Sequence, residues 1–177
     1  MLAWTLFKDV DGLKLRLVAT NLGLRAVEFP PFGRAEGEPD EAHNVLREAA
    51  NQLQAYFRGS LRQFHIPLDM GGTDFQKRVW RCLEEIPYGE TRSYRQIAAA
   101  IGRPAAVRAV GAANAANPVA IVVPCHRVIG AGGKLTGYGG GLALKKRLLE
   151  LEGVRFLSAP IASMVARVDQ ARAVTRG

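Results

Sequence analysis

Cysteine is scarce in this chain of 177 residues: Cys82 and Cys125 stand alone and far apart. Such a pair offers neither a disulfide framework nor the paired spacing of a zinc site, so no metal and no cofactor are expected. Long apolar runs are also missing. None approaches the roughly 20 residues of a membrane span, and the N-terminus carries no signal-peptide core, so no membrane partner is expected. Low-complexity tracts and internal repeats are absent as well. The cysteine usage fits a reducing, cytoplasmic setting.

What is present is an ordinary globular composition, 48% hydrophobic and 23% charged, with a net charge of +8 that is unevenly placed. Residues 1–70 hold eight basic and nine acidic side chains, whereas residues 71–150 hold twelve and five. A basic excess confined to one segment suits a polyanion partner there, although a solvated basic face would look the same.

The pattern implies an α/β (α+β) fold in two parts. Trp4 to Val10, Leu13 to Ala19 and Leu22 to Phe29 read as an antiparallel meander, with Leu13, Leu15 and Leu17 alternating against Lys14, Arg16 and Val18. Asp40 to Arg58 reads as a helix with Val45, Leu46, Ala49, Leu53, Tyr56 and Phe57 on one face, and Gln63 to Leu68 as a strand. His43 and His65 are read as structural. A boundary is expected at Asp69 to Gly72, giving an N-terminal domain (1–70), a second domain (71–155) and a tail (156–177).

The second part opens with two capping boxes, Thr73/Gln76 and Ser93/Gln96, each announcing a helix. Gly102 stops the helix from Tyr94 to Ile101, and Pro104 is expected at the first position of the next, Ala105 to Ala116. Two short helices joined by a glycine-containing turn make a helix-turn-helix. The second is rich in alanine, with Arg108 as its long side chain near the start. This suits either a nucleic-acid groove or tight internal packing. Cys82, inside the first helix, reads as a small hydrophobe.

Val119 to Val123 reads as a buried strand ended by Pro124, after which Cys125, His126 and Arg127 follow in succession. A thiol and an imidazole at the end of a rigid element suit nucleophilic catalysis, while adjacency alone also suits packing. On an extended segment the two side chains would point apart, so a water between them is more plausible than direct contact. A basic, His-flanked setting is expected to lower the thiol pKa. Asn117 could brace the segment before the thiol. Gly137 to Gly141 form a glycine-rich loop around Tyr138 without the lysine of a phosphate loop. A last helix runs from Leu142 to Glu152, where Glu150 and Glu152 face different directions and only one can reach His126.

In this order, Gly72-Thr-Asp-Phe-Gln, Ile86-Pro-Tyr-Gly-Glu-Thr, Ser93-Tyr94, Arg108-Ala-Val-Gly111, Asn117-Pro118, Pro124-Cys-His-Arg127 and Gly137-Tyr-Gly-Gly140 resemble the O6-alkylguanine-DNA alkyltransferases, in particular bacterial Ogt-like members. The resemblance is dense from residue 72 to 153. It implies a mainly helical, winged-helix-like second domain and a suicidal repair reaction. The alkyl group would pass from O6 of guanine, or O4 of thymine, in double-stranded DNA to Cys125. His126 would act as base through a water, with Glu152 orienting it. Tyr94 would donate to the base, and Asn117 would hold the turn before the site. Arg108 would replace the flipped nucleotide, with Ser93, Ala109, Gly111 and Arg127 also at the DNA. Val128, Tyr138, Gly139 and Gly140 would line the base pocket. A monomer in free form is expected, with cooperativity on DNA left open. Some relatives hold zinc through an N-terminal cysteine, which is lacking before Cys82. A lesion-binding module without transfer and a Cys-His hydrolase are the competing readings.

Overall fold

Three strands, β1 (Ala3–Lys8), β2 (Lys14–Thr20) and β3 (Gly23–Glu28), form the expected meander in the computed structural model, which describes residues 1–156 and the backbone of 166–167. A two-residue strand, β4 (Glu38–Pro39), adds to the free edge of β1 in parallel and completes the order β3-β2-β1-β4. The alternation along β2 is only half realised, because Arg16 and Val18 are buried along with the leucines. The loop after β3 covers that second face. Arg16 donates to Glu28 at 2.6 Å and to the Gly33 carbonyl at 2.9 Å, and lies over the Phe32 ring.

Helix α1 (Asn44–Phe57) packs Leu46, Ala49, Leu53, Tyr56 and Phe57 onto the sheet. Residues 63–68 do not form the expected strand; they meet β3 in a single bridge, Leu24 to Leu68. There the Leu24 N–H donates to the Pro67 carbonyl and the Leu24 carbonyl accepts from the Asp69 N–H, while Pro67 has no N–H to extend the ladder.

Both capping boxes form as the sequence requires, starting α2 (Asp74–Glu84) and α3 (Tyr94–Ala100). Gly102, at φ 70°, takes the left-handed conformation that ends α3. Pro104 lies in the turn rather than at a helix start, and α4 spans Val107–Ala115. Helix α5 (Gly141–Leu151) closes the helical part, with Glu152 as its C-cap. A short parallel pair, β5 (Arg92–Ser93) with β6 (Val128–Ile129), ties the start of α3 to the chain just after His126. The expectation for the tail falls outside the described residues, apart from Phe156 and a backbone pairing of Arg155–Phe156 with Ala166–Arg167.

One buried apolar cluster runs from Phe7 and Leu17 through Leu53 and Tyr56 to Trp80, Ile97, Val119 and Cys125. The sheet and the helices share it. Trp80, 1% exposed, packs α2 against α4 and donates to the Ala113 carbonyl at 2.8 Å. Trp80→Ala is expected to cost about 3–5 kcal/mol, from lost burial and an emptied hole, measured by urea unfolding.

Candidate active site

The reactive segment begins where α4 ends. Asn117 donates through Nδ2 to the Val123 carbonyl at 2.8 Å and accepts the Val119 N–H through Oδ1 at 3.1 Å. This clamp draws residues 119–123 into a turn, closed by the Val123 N–H to the Val119 carbonyl at 2.9 Å. The expected strand is therefore absent, although its residues are buried as anticipated, apart from the half-buried Val122. The turn forces Ile121 to φ 75°, a left-handed conformation that costs a β-branched residue about 1–3 kcal/mol. A bridge from Val27 to Val119, with the Val27 N–H bonded to Pro118, fastens this turn to β3.

Cys125, His126 and Arg127 then form one turn of 3₁₀ helix instead of continuing extended. All three are buried, His126 completely. The imidazole Nε2 lies 2.9 Å from Oε1 of Glu152, while Nδ1 is buried without a partner. Burial would raise the Glu152 carboxyl, but the hydrogen bonds from His126 and Arg127 hold it down at about 2. An ionised carboxylate only accepts, so the proton of the neutral imidazole sits on Nε2 and the Nδ1 lone pair is free. Burial lowers the imidazole pKa, with the Glu152 interaction opposing it, so His126 is neutral at pH 7.

Arg127 does not reach a DNA surface. It is 6% exposed, donates through Nε and Nη2 to the two oxygens of Glu152 at 2.9 Å, and through Nη1 to the Ile86 carbonyl at 2.6 Å. Its place among the DNA contacts is corrected: a guanidinium with its donors engaged inside the fold serves Glu152. Glu150 faces out and pairs with Lys146, which leaves Glu152 as the partner of His126.

The thiol also departs from expectation. Burial pushes the Cys125 thiol up, and the Asn117 amide and the Lys145 charge pull it down by less. Desolvation of a thiolate outweighs the basic surroundings here, because the residue is only 4% exposed. Lys145, itself buried, donates to the Val128 and Thr136 carbonyls at 2.6 and 2.9 Å, and burial brings it down to about 8.

A cavity of about 330 Å³ opens onto Cys125. Asn114, Asn117, Tyr138 and Gly139 line one side; Ala26 to Phe29, at the end of β3, form the other. Val128 and Gly140 do not line it. The Val128 carbonyl is taken by Lys145, and Gly140 sits behind the wall, where a Cβ would lie 2.9 Å from the Phe29 ring and 2.6 Å from Leu144. Phe29 and Tyr138 meet edge to face across the opening, and the Tyr138 hydroxyl is buried without a partner.

Ser93 and Tyr94 do not line this cavity; they border a separate one of about 500 Å³ with Gly130 to Gly133. Thr136 donates to the Tyr94 hydroxyl at 3.1 Å. Gly111 on α4 faces the Tyr94 ring, which a Cβ there would meet at 3.9 Å, an ordinary contact. The outer face of α4 exposes Arg108, Ala109, Ala112 and Ala115. Arg108 makes no ion pair among the described residues.

Three contributors escape sequence reasoning: the β3 wall, Lys145 and Tyr56. The hydroxyl of Tyr56 donates to Glu152 Oε1 at 2.7 Å. Its one available signal was a phenol on the apolar face of α1, since a buried tyrosine hydroxyl needs a partner.

The Glu152 carboxyl lies below its ordinary value of 4.5, so its contribution to stability is complete above about pH 4.5 and is lost as the pH falls through about 2. That contribution is about 3 kcal/mol. His126, lowered from 6.5, adds a loss in the same direction below pH 6.5, as the unfolded chain takes up the proton first. Glu152→Gln is expected to flatten the dependence below pH 4.5 and to cost about 3–5 kcal/mol at pH 7 by leaving Arg127 buried and unpaired, measured by urea unfolding from pH 3 to 7.

A profile of the 6-O-methylguanine DNA methyltransferase DNA-binding domain matches residues 74–154. The methylated-DNA–protein-cysteine methyltransferase of Mycobacterium tuberculosis H37Rv is 56% identical over 138 residues, covering 78% of this chain and 82% of that protein. The protein of that name from Methanosarcina acetivorans is 56% identical over 153 residues, covering 85% and 97%. Among solved structures, Mycobacterium tuberculosis OGT in complex with DNA aligns with a TM-score of 0.78 at 50% identity, covering 85% of this chain and 92% of that one.

Proposed function

The chain belongs to the methylated-DNA–protein-cysteine methyltransferases, and from that premise we propose that Cys125 takes the alkyl group from O6 of guanine in duplex DNA, once per protein molecule. It is thus a DNA-binding repair enzyme that transfers a methyl group from DNA to a protein cysteine. The observation that carries the assignment of Cys125 is its place at the foot of a cavity, beside an imidazole whose tautomer Glu152 dictates.

In the proposed step, Sγ attacks the alkyl carbon, the S–C bond forms and the C–O6 bond breaks. The thiol proton moves through a water to Nδ1 of His126, and guanine takes up a proton as it leaves. A raised thiol pKa means that attack and proton removal go together, since the thiolate is the nucleophile. Tyr94 donates to the ring as the leaving group gains charge. Asn117 holds the turn beneath the thiol. Tyr138 and Gly139 line the base pocket.

A stacked base cannot reach a thiol that is 4% exposed, so the nucleotide must leave the helix. Arg108, long and unpaired on a face of small side chains, fills the gap, with Ser93, Ala109 and Gly111 beside the DNA backbone. O4-alkylthymine, smaller than alkylguanine, fits the same route. The free protein is a cytoplasmic monomer.

Cys125→Ala is expected to bind duplex DNA carrying O6-methylguanine while taking no methyl group; methyl uptake by that variant, or turnover beyond one per wild-type protein, would refute the reading. Arg108→Ala is expected to slow repair of duplex about 10-fold or more, while reaction with free O6-alkylguanine stays near the wild-type rate. Equal losses on both substrates would remove Arg108 from base extrusion.

A further inference from the structure

We infer that Tyr56, on α1 of the N-terminal layer, is a positioning residue for alkyl transfer: its hydroxyl holds Oε1 of Glu152 and thereby limits how strongly that carboxylate polarises His126. The inference rests on the reading of His126 as the base.

Oε1 is a crowded acceptor. It receives Tyr56 Oη at 2.7 Å, His126 Nε2 at 2.9 Å and Arg127 Nη2 at 2.9 Å, whereas Oε2 receives Arg127 Nε at 2.9 Å and the Gly89 N–H at 3.3 Å. Tyr56 is the shortest of these, and its oxygen also stands 3.4 Å from His126 Nε2. An oxygen shared among three donors gives each less electron density than an oxygen with two. The phenol therefore draws charge away from the imidazole.

The hydroxyl cannot swing away, because the ring is packed against Phe57, Phe64 and Tyr88 and is fully buried. Burial and the neighbouring Glu152 also keep the phenol protonated, so it always donates. The other charged or titratable groups around His126 are Arg127 on its own turn, Lys145 and Glu152 from α5 and its cap, Cys125, and Tyr138, whose ring centre is 6.4 Å away. Tyr56 alone among these comes from the first seventy residues. Through it, the sheet layer takes part in the proton path.

The chemical consequence has a definite sign. A base must be neutral to accept a proton, and too strong a carboxylate partner would leave His126 charged near neutral pH. Without the phenol oxygen, Oε1 stabilises the imidazolium better, and His126 becomes more basic.

Tyr56→Phe removes one oxygen and keeps the ring. In the full-length protein with a ¹⁵N-labelled imidazole, the titration midpoint of His126 is expected to rise by about half a unit to one unit. The pH at which single-turnover transfer from O6-methylguanine duplex reaches half its maximum should rise by the same amount. Leu46→Ala, which loosens the same helix near its start and touches neither Tyr56 nor Glu152, should lower stability and leave the midpoint in place. An unmoved midpoint in Tyr56→Phe, whatever its stability, would overturn the inference. Should the wild-type protein transfer no methyl group to Cys125, the functional reading would fall instead, and the imidazole titration would still decide the role of Tyr56.

Discussion

The carboxylate of Glu152 accepts hydrogen bonds from four residues that the chain brings from three places: Tyr56 on α1, Gly89 in the turn after α2, and His126 with Arg127 on the 3₁₀ turn. Taking such a charge out of water costs several kcal/mol, and it persists only where a cation and oriented donors replace the lost hydration. Arg127 supplies the cation in a two-pronged pair, and its remaining contact to Ile86 anchors it to the end of α2. From this pair follow the tautomer of His126, the burial of Arg127, and the join between sheet and helices at the site.

Above this charged base, the reacting groups rest neutral. Burial raises the thiol and lowers the imidazole, so neither is ionised at pH 7 without a partner. A protonated thiol is a weak nucleophile, and the cavity over it is walled by Phe29 and Tyr138. In the proposed transfer, reactivity is thereby tied to the arrival of a substrate that can receive negative charge. Lys145 opposes the effect of burial, its charge lowering the thiol, while it links the backbone of the β6 strand to that of the loop carrying Tyr138.

Local rules were legible in the sequence. The two capping boxes needed only residues three apart, and Gly102 needed only its own freedom of φ, so α2, α3 and the turn after α3 were readable. The run from Val119 to Val123 was not, because β-branched residues favour a strand unless something distant overrules them. Here the Asn117 clamp and the β3 bridge do so, at the cost of strain in Ile121. Arg127 was placed at the DNA by the family resemblance, and its partner, 25 residues on, is visible only in the fold. The thiol failed on the balance of terms, since adjacency to basic groups is visible in sequence and enclosure is not. Cys125, His126 and the choice of Glu152 came from motif order, which carries the geometry of a family that spacing alone leaves ambiguous.

Alkyl transfer to Cys125 is most directly tested by weighing tryptic peptides after incubation with duplex DNA containing O6-methylguanine. Cleavage after Arg108 and Arg127 releases Ala109 to Arg127, whose only thiol is Cys125, while Cys82 falls on another peptide. A methyl increment on the Cys125 peptide, saturating at one per protein, is the predicted result. An unmodified peptide from folded, reduced protein that still binds the DNA would contradict it and leave a lesion-binding protein in its place.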